Sequence, residues 1–149
     1  MNLLDAFPIE HPAVSVPWGV TEEQLLGILA SASARRVTRE YITLPVRILG
    51  GLDCMLGFHF RDNGCLSELE FFRTAYTDQR ASYEEFQRHF EQALGPPSRT
   101  QAGDEGFPSH EWYVPGARVV HYVFDRFGPE EHMRVQRIAQ RAVAADLDG

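Results

Sequence analysis

The chain has 149 residues, 44% of them hydrophobic, enough for one substantial core without disulfide or metal staples. Its formal charge of -7 argues against the basic surface on which non-specific nucleic-acid binding depends. All 14 basic residues are arginine, so every fixed cation is a planar fork matched to carboxylates.

The opening residues lack both a basic start and a long apolar run, so no signal peptide is expected. No stretch approaches the ~18 apolar residues of a membrane span. Two cysteines without C-x-x-C spacing point to a reduced, cytosolic protein. Pro8, Pro12 and Pro17 favour extended backbone over residues 1–17, which are expected along the surface or as a short edge strand over 13–16.

Thr21 and Gln24 have capping-box spacing, and Leu25, Leu26, Ile28 and Leu29 form the apolar stripe of a helix ending near 31–33. From Val37 the period becomes two. Ile42, Leu44, Val46 and Ile48 alternate with Tyr41, Thr43, Pro45 and Arg47, a half-buried strand whose proline demands an edge position or an irregularity. Gly50-Gly51 turns the chain into a strand beginning near 53 or 54.

Asn63-Gly64 predicts a two-residue primed turn, since both central positions need positive φ. That turn places Phe60 opposite Ser67, Phe58 opposite Leu69 and Leu56 opposite Phe71 on one face, with Cys54. The other face pairs His59 with Glu68, Gly57 with Glu70 and Met55 with Phe72. Ser82-Tyr83-Glu84-Glu85 has the spacing of a second capping box, ahead of Phe86, Phe90 and Leu94, and Gly95-Pro96-Pro97 stops that helix. Residues 98–109 read as an exposed loop, and Pro115-Gly116 joins two further strands.

In the tail, Gly128-Pro129-Glu130-Glu131 and the spacing of Val135, Ile138, Ala139, Ala142 and Val143 favour a helix; a returning strand over 132–138 is the alternative. No internal repeat is evident. The sum is a single α+β domain over 1–149, an antiparallel sheet of four to six strands with two or three helices packed against it.

Several constellations could carry chemistry. In the hairpin register Cys54 and Cys65 lie roughly eight residue rises apart at ~3.4 Å each, too far for a disulfide. His59 beside Glu68 and Glu70 has the elements of a general base or pH switch, but the register puts no nucleophile on that face. A two-residue loop at Pro115-Gly116 sets His110 opposite His121. Two imidazoles begin a zinc site without completing one, so no metal or cofactor is assigned. Phosphate loops, G-x-S-x-G and H-E-x-x-H are absent.

Trp18-Gly19-Val20-Thr21-Glu22-Glu23, Gly57-Phe58-His59-Phe60 with Gly64-Cys65-Leu66, the 86–94 helix with its Gly-Pro-Pro stop, and Glu111-Trp112 give a layout that resembles small bacterial proteins of unknown function, including immunity-type proteins that neutralise toxins. The resemblance implies a non-catalytic binding role and transfers no functional residue.

The leading expectation is a non-enzymatic protein that binds another protein as an immunity or adaptor factor. Its contact candidates are His59, Glu68, Glu70, Glu84 and Glu85, with further exposed acids at Glu91, Asp104 and Glu105. The alternative is a small-molecule binder or minor enzyme using a sheet–helix cleft lined by Trp18, Trp112, Tyr113 or Tyr122. A homo-oligomer is a third possibility, because Met55, Leu66 and Phe72 would need cover. Neither nucleic acid nor membrane is expected as a partner.

Overall fold

A computed structural model describes residues 1–138. The two hairpins legible in the sequence belong to one eight-stranded antiparallel sheet. Its strands are β3 (Arg35–Thr38), β4 (Tyr41–Ile48), β5 (Leu52–His59), β6 (Glu68–Phe72), β7 (Arg99–Gln101), β8 (Ser109–Val114), β9 (Ala117–Asp125) and β10 (Pro129–Arg137). They lie in the order β3-β4-β5-β6-β10-β9-β8-β7. A separate two-stranded sheet pairs β1 (Ala6–Ile9) with β2 (Val14–Pro17). The α-helices are α1 (Glu22–Ile28), ahead of β3, and α2 (Gln79–Leu94), ahead of β7. A helix followed by a four-stranded meander therefore occurs twice, and the two meanders meet at the antiparallel β6–β10 seam. No residue-level repeat accompanies this repeat of connectivity.

The fold expectation is corrected accordingly. The protein is mostly β, with ten strands among the described residues, not an α+β domain built on four to six strands. Three kinds of strand were missed or only partly read, β2 being expected as a short edge strand over 13–16 and β10 as the alternative over 132–138. β3 and β7 are short and wholly exposed, so they show no apolar alternation. β1 and β2 each contain a proline and form a hairpin of their own. β10 points Glu131, Met133 and Val135 inward, and the buried carboxylate at its head disguises the period of two. Residues 129–137 are thus a strand where helical spacing favoured a helix; Ala139, Ala142 and Val143 lie outside the described residues.

The 54–72 hairpin forms in the register its turn dictates, with Leu56 opposite Phe71, Phe58 opposite Leu69 and His59 opposite Glu68. Asn63 (φ 53°) and Gly64 (φ 80°) take the positive φ values of the primed turn. The Thr21–Gln24 capping box is present with both reciprocal bonds. The second cap is not where the spacing put it. Asp78 caps α2, accepting from the Ala81 amide at 3.0 Å, and Ser82 lies inside the helix, facing the sheet.

One face of the sheet is covered. Phe7 from β1 packs on Phe71 (5.8 Å between centroids), Leu25 and Leu29 of α1 join the same core, and Phe90 of α2 lies between Phe71 and Trp112. Among the described residues no helix covers the opposite face, where alternate side chains of β4, β5, β6, β10, β9 and β8 range from buried, as at Thr43, His59 and Glu68, to exposed. Both sheet edges are short and arginine-bearing, which discourages strand addition by another chain.

Candidate functional site

Each face carries polar contacts that run across several strands. On the outer face the chain of contacts begins at Tyr41, whose ring stacks on His59 at 4.5 Å. Both lie on neighbouring strands because Tyr41 pairs with His59 in the β4–β5 register. Gly57 makes room for this. A Cβ there would fall 2.7 Å from the tyrosine ring. His59 Nε2 donates to Glu70 Oε2 at 2.8 Å, the diagonal neighbour, not to Glu68 directly opposite. Glu68 is already engaged, accepting from Arg61 (3.1 Å), Arg134 (3.3 Å) and Gln136 (3.0 Å). Gln136 in turn accepts from Arg118 Nη1 at 2.9 Å, and Arg118 also pairs with Glu111. Together these contacts cross six strands, from β4 to β8.

Its electrostatics follow from those contacts. The His59 hydrogen bond holds the Glu70 carboxyl below its ordinary value against an opposing push from burial. The Arg118 contact lowers Glu111 in the same way. Burial raises the Tyr41 phenol. Beside the network, Tyr122 stacks on His132 at 4.9 Å, and a depression of about 250 Å³ opens between Glu111, Arg118, Tyr122, Arg134 and Gln136.

The inner network is sealed. His121 and Glu131, both with fully buried side chains, meet at 2.5 Å. Ser82 Oγ donates to the other Glu131 oxygen at 2.7 Å and accepts from Arg73 Nε at 2.8 Å. His121 Nδ1 faces Gln87 Oε1 at 2.8 Å, and Tyr83 stacks on the imidazole at 4.3 Å. Burial lowers the His121 pKa, partly offset by Glu131. A serine, a carboxylate and an imidazole are thus assembled, but in the wrong order for nucleophilic catalysis. The carboxylate sits between serine and histidine, so the imidazole cannot take the serine proton.

The residues singled out from sequence separate by face. His59, Glu68 and Glu70 do come together, on the outer face, with His59 and Glu68 largely buried. Glu84 and Glu85 sit on α2, away from them; Glu84 is exposed and Glu85 is held by Arg73 at 2.5 Å. Trp18 and Trp112 belong to the core, their indole N–H groups donating to the carbonyls of Leu3 (2.8 Å) and Gly95 (2.9 Å). Tyr113 and Tyr122 point from the outer face, so the four aromatics share no sheet–helix cleft. His110 does pair with His121 across β8–β9, yet His110 bonds Thr100 and His121 bonds Glu131. Among the described residues no group of three or more His, Cys, Asp or Glu is placed to hold a metal. Both cysteines are free. Met55 and Phe72 are half-buried on the outer face, whereas Leu66 is core.

Sequence reasoning missed Tyr41, Arg61, Arg118, Arg134, Gln136 and Glu131. The signal for the outer arginines was the period of two in β9 and β10, which puts Arg118, Tyr122, Arg134 and Gln136 on one parity once the strands are paired.

Neither a family model nor a curated protein matches the chain. Among solved structures, the crystal structure of a DUF4309 family protein from Bacillus subtilis subsp. subtilis str. 168 is similar at 11% identity and TM-score 0.44, covering 79% of this chain and 78% of that one. This distant likeness to a small protein of unknown function lends no support to the immunity-type resemblance in particular. Among the described residues no helix is long and apolar enough to cross a membrane.

Proposed function

We propose that the protein is a non-enzymatic binding module that docks a protein partner on the outer face of its eight-stranded sheet. A toxin-neutralising role is one form this binding could take. The observation that carries the reading is the composition and fixing of that face. Tyr41, Tyr113, Tyr122, Phe72, Phe124 and Met55 are interspersed with Arg61, Arg118 and Arg134, the residue types in which docking surfaces are enriched. Cross-strand ion pairs and ring stacking already hold many of these side chains, so binding immobilises few of them. Glu68, Glu70 and Glu111 of the face are matched by arginines or His59. Shape and aromatic contact therefore choose the partner more than net charge does.

The test compares faces. Immobilised wild-type protein, a Tyr113→Ala/Tyr122→Ala variant and a Glu84→Ala/Arg88→Ala variant of α2 are exposed to the same lysate. The expected result is one protein held by wild type and the helix variant and lost about tenfold or more from the outer-face variant. Equal capture by all three would overturn the reading.

A further inference from the structure

A cavity of about 730 Å³ lies away from both polar networks, at a notch in the edge of β4. The outer-face depression is about 250 Å³. The notch exists because, on the side of β4 away from β5, no element runs the full length of the strand. β3 pairs as far as Arg35 opposite Thr43, and the β1–β2 hairpin turn meets β4 only at His11 opposite Arg47. Pro45 stands between them. Arg47 N–H donates to His11 O at 2.9 Å, and Arg47 O accepts from the Glu10 and His11 amides. The backbone groups of Pro45, two residues away, share that direction, away from β5. Proline has no amide to present, so a single carbonyl opens into the notch, unpartnered among the described residues.

The walls define the ligand. Leu44, Val46 and Cys54 form an apolar floor, with Pro12 and Ala13 on one side and Ala32 on the other, between Ser31 and Ser33. The charged residues on the rim, Arg47 and Asp53, satisfy each other at 3.0 Å. Burial pushes the Cys54 thiol up to about 12, so this side chain is a neutral surface and not a thiolate. An added peptide strand would need alternating backbone donors and acceptors, and the free edge of β4 supplies one carbonyl and no amide here, the polar side chains of His11, Ser31 and Ser33 standing at the rim. The volume falls in the range of small-molecule sites.

We propose that the notch binds a small, uncharged, mainly apolar molecule carrying one hydrogen-bond donor, its body on Leu44, Val46 and Cys54 and its donor on the Pro45 carbonyl. This site is independent of the outer face and stands or falls without it.

Indole, a flat apolar molecule with one N–H, is the probe, and methyl chemical shifts are the readout. Saturable shifts at Leu44, Val46, Ala13 and Ala32 are expected, with none at Val120 on the outer face. 1-Methylindole, lacking the donor, binds about fivefold more weakly, the worth of one hydrogen bond. Indole-3-acetate, bringing an unpaired charge, also binds more weakly. Ala32→Trp and Ala13→Leu, each filling the notch from a different wall, abolish the shifts while the outer-face spectrum stays unchanged. Absence of saturable shifts with millimolar indole in the wild type would overturn the proposal. So would equal binding of 1-methylindole, or indole binding that survives both filling substitutions.

Discussion

Both faces of the sheet hold a histidine hydrogen-bonded to a glutamate, and the two pairs are governed by opposite forces. On the outer face Glu70 keeps about a quarter of its side chain exposed (27%), and its hydrogen bond from His59 is the larger influence on its carboxyl. On the inner face His121 and Glu131 have no exposure at all, and burial outweighs their mutual attraction in setting the state of the imidazole. The same two residue types build a partly hydrated surface contact between strands in one place and a structural tie between α2 and the sheet in the other. Environment, not residue identity, assigns the role.

The sharpest way to break this comparison is to remove the carboxylate from the sealed side. Glu131→Ala leaves Ser82 and His121 without their buried acceptor and is expected to cost about 2–4 kcal/mol in urea unfolding. Replacing both members with leucine should recover much of that loss, because an apolar pair of similar volume avoids desolvating either group. A double variant no more stable than Glu131→Ala would show that the pair does more than fill space.

Next in size is the outer face, through its backbone. Gly57→Ala places a Cβ against the Tyr41 ring and should cost about 1–3 kcal/mol, with loss of the ring-current shift that Tyr41 imposes on His59. Unchanged His59 shifts would mean that the ring does not sit over the glycine.

This glycine also shows how far the sequence could be read. Its place opposite Glu70 followed from Asn63-Gly64 alone, since a two-residue primed turn fixes every pair downstream. The tyrosine above it did not follow, because the β4–β5 loop is Leu49-Gly50-Gly51 and its register was not set by a recognised turn type. Ser82 misled for a related reason. Its spacing to Glu85 matches a capping box, but the real cap is Asp78, and Ser82 is turned inward by an acceptor 49 residues away on β10. Local rules identified α1, the 54–72 hairpin and the Gly95 stop (φ 83°). The short, exposed strands β3 and β7 had no apolar signature to read, and β10 was legible only as the alternative to a helix.

The pH dependence separates the two pairs by where each loses stability. Burial depresses the His121 pKa from its ordinary 6.5 in the folded state. Above that value the imidazole is neutral folded or unfolded. Below it the unfolded chain takes up a proton that the folded protein resists, so stability falls as pH drops. His110, lowered first by burial and then by His121, adds to the same limb. The urea midpoint should therefore decline between about pH 7.5 and 5.5, and less steeply in His121→Asn. A midpoint that rises over that interval would contradict the burial-dominated state of His121.

The smallest effect belongs to the outer pair. The folded-state carboxyl of Glu70 is depressed below 4.5, so its contribution is present above that pH and is lost only as pH falls through the lower value. Glu70→Gln keeps the shape and an acceptor for His59 while removing the charge. Because this face is partly hydrated, the loss at neutral pH should be no more than about 1 kcal/mol, shrinking further in high salt. The contrast with Glu131 then becomes quantitative, since one histidine–glutamate contact resists salt and the other does not. A Glu70→Gln loss as large and as salt-insensitive as that of Glu131→Ala would mean that the outer face is shielded from water, leaving it less free to receive a partner.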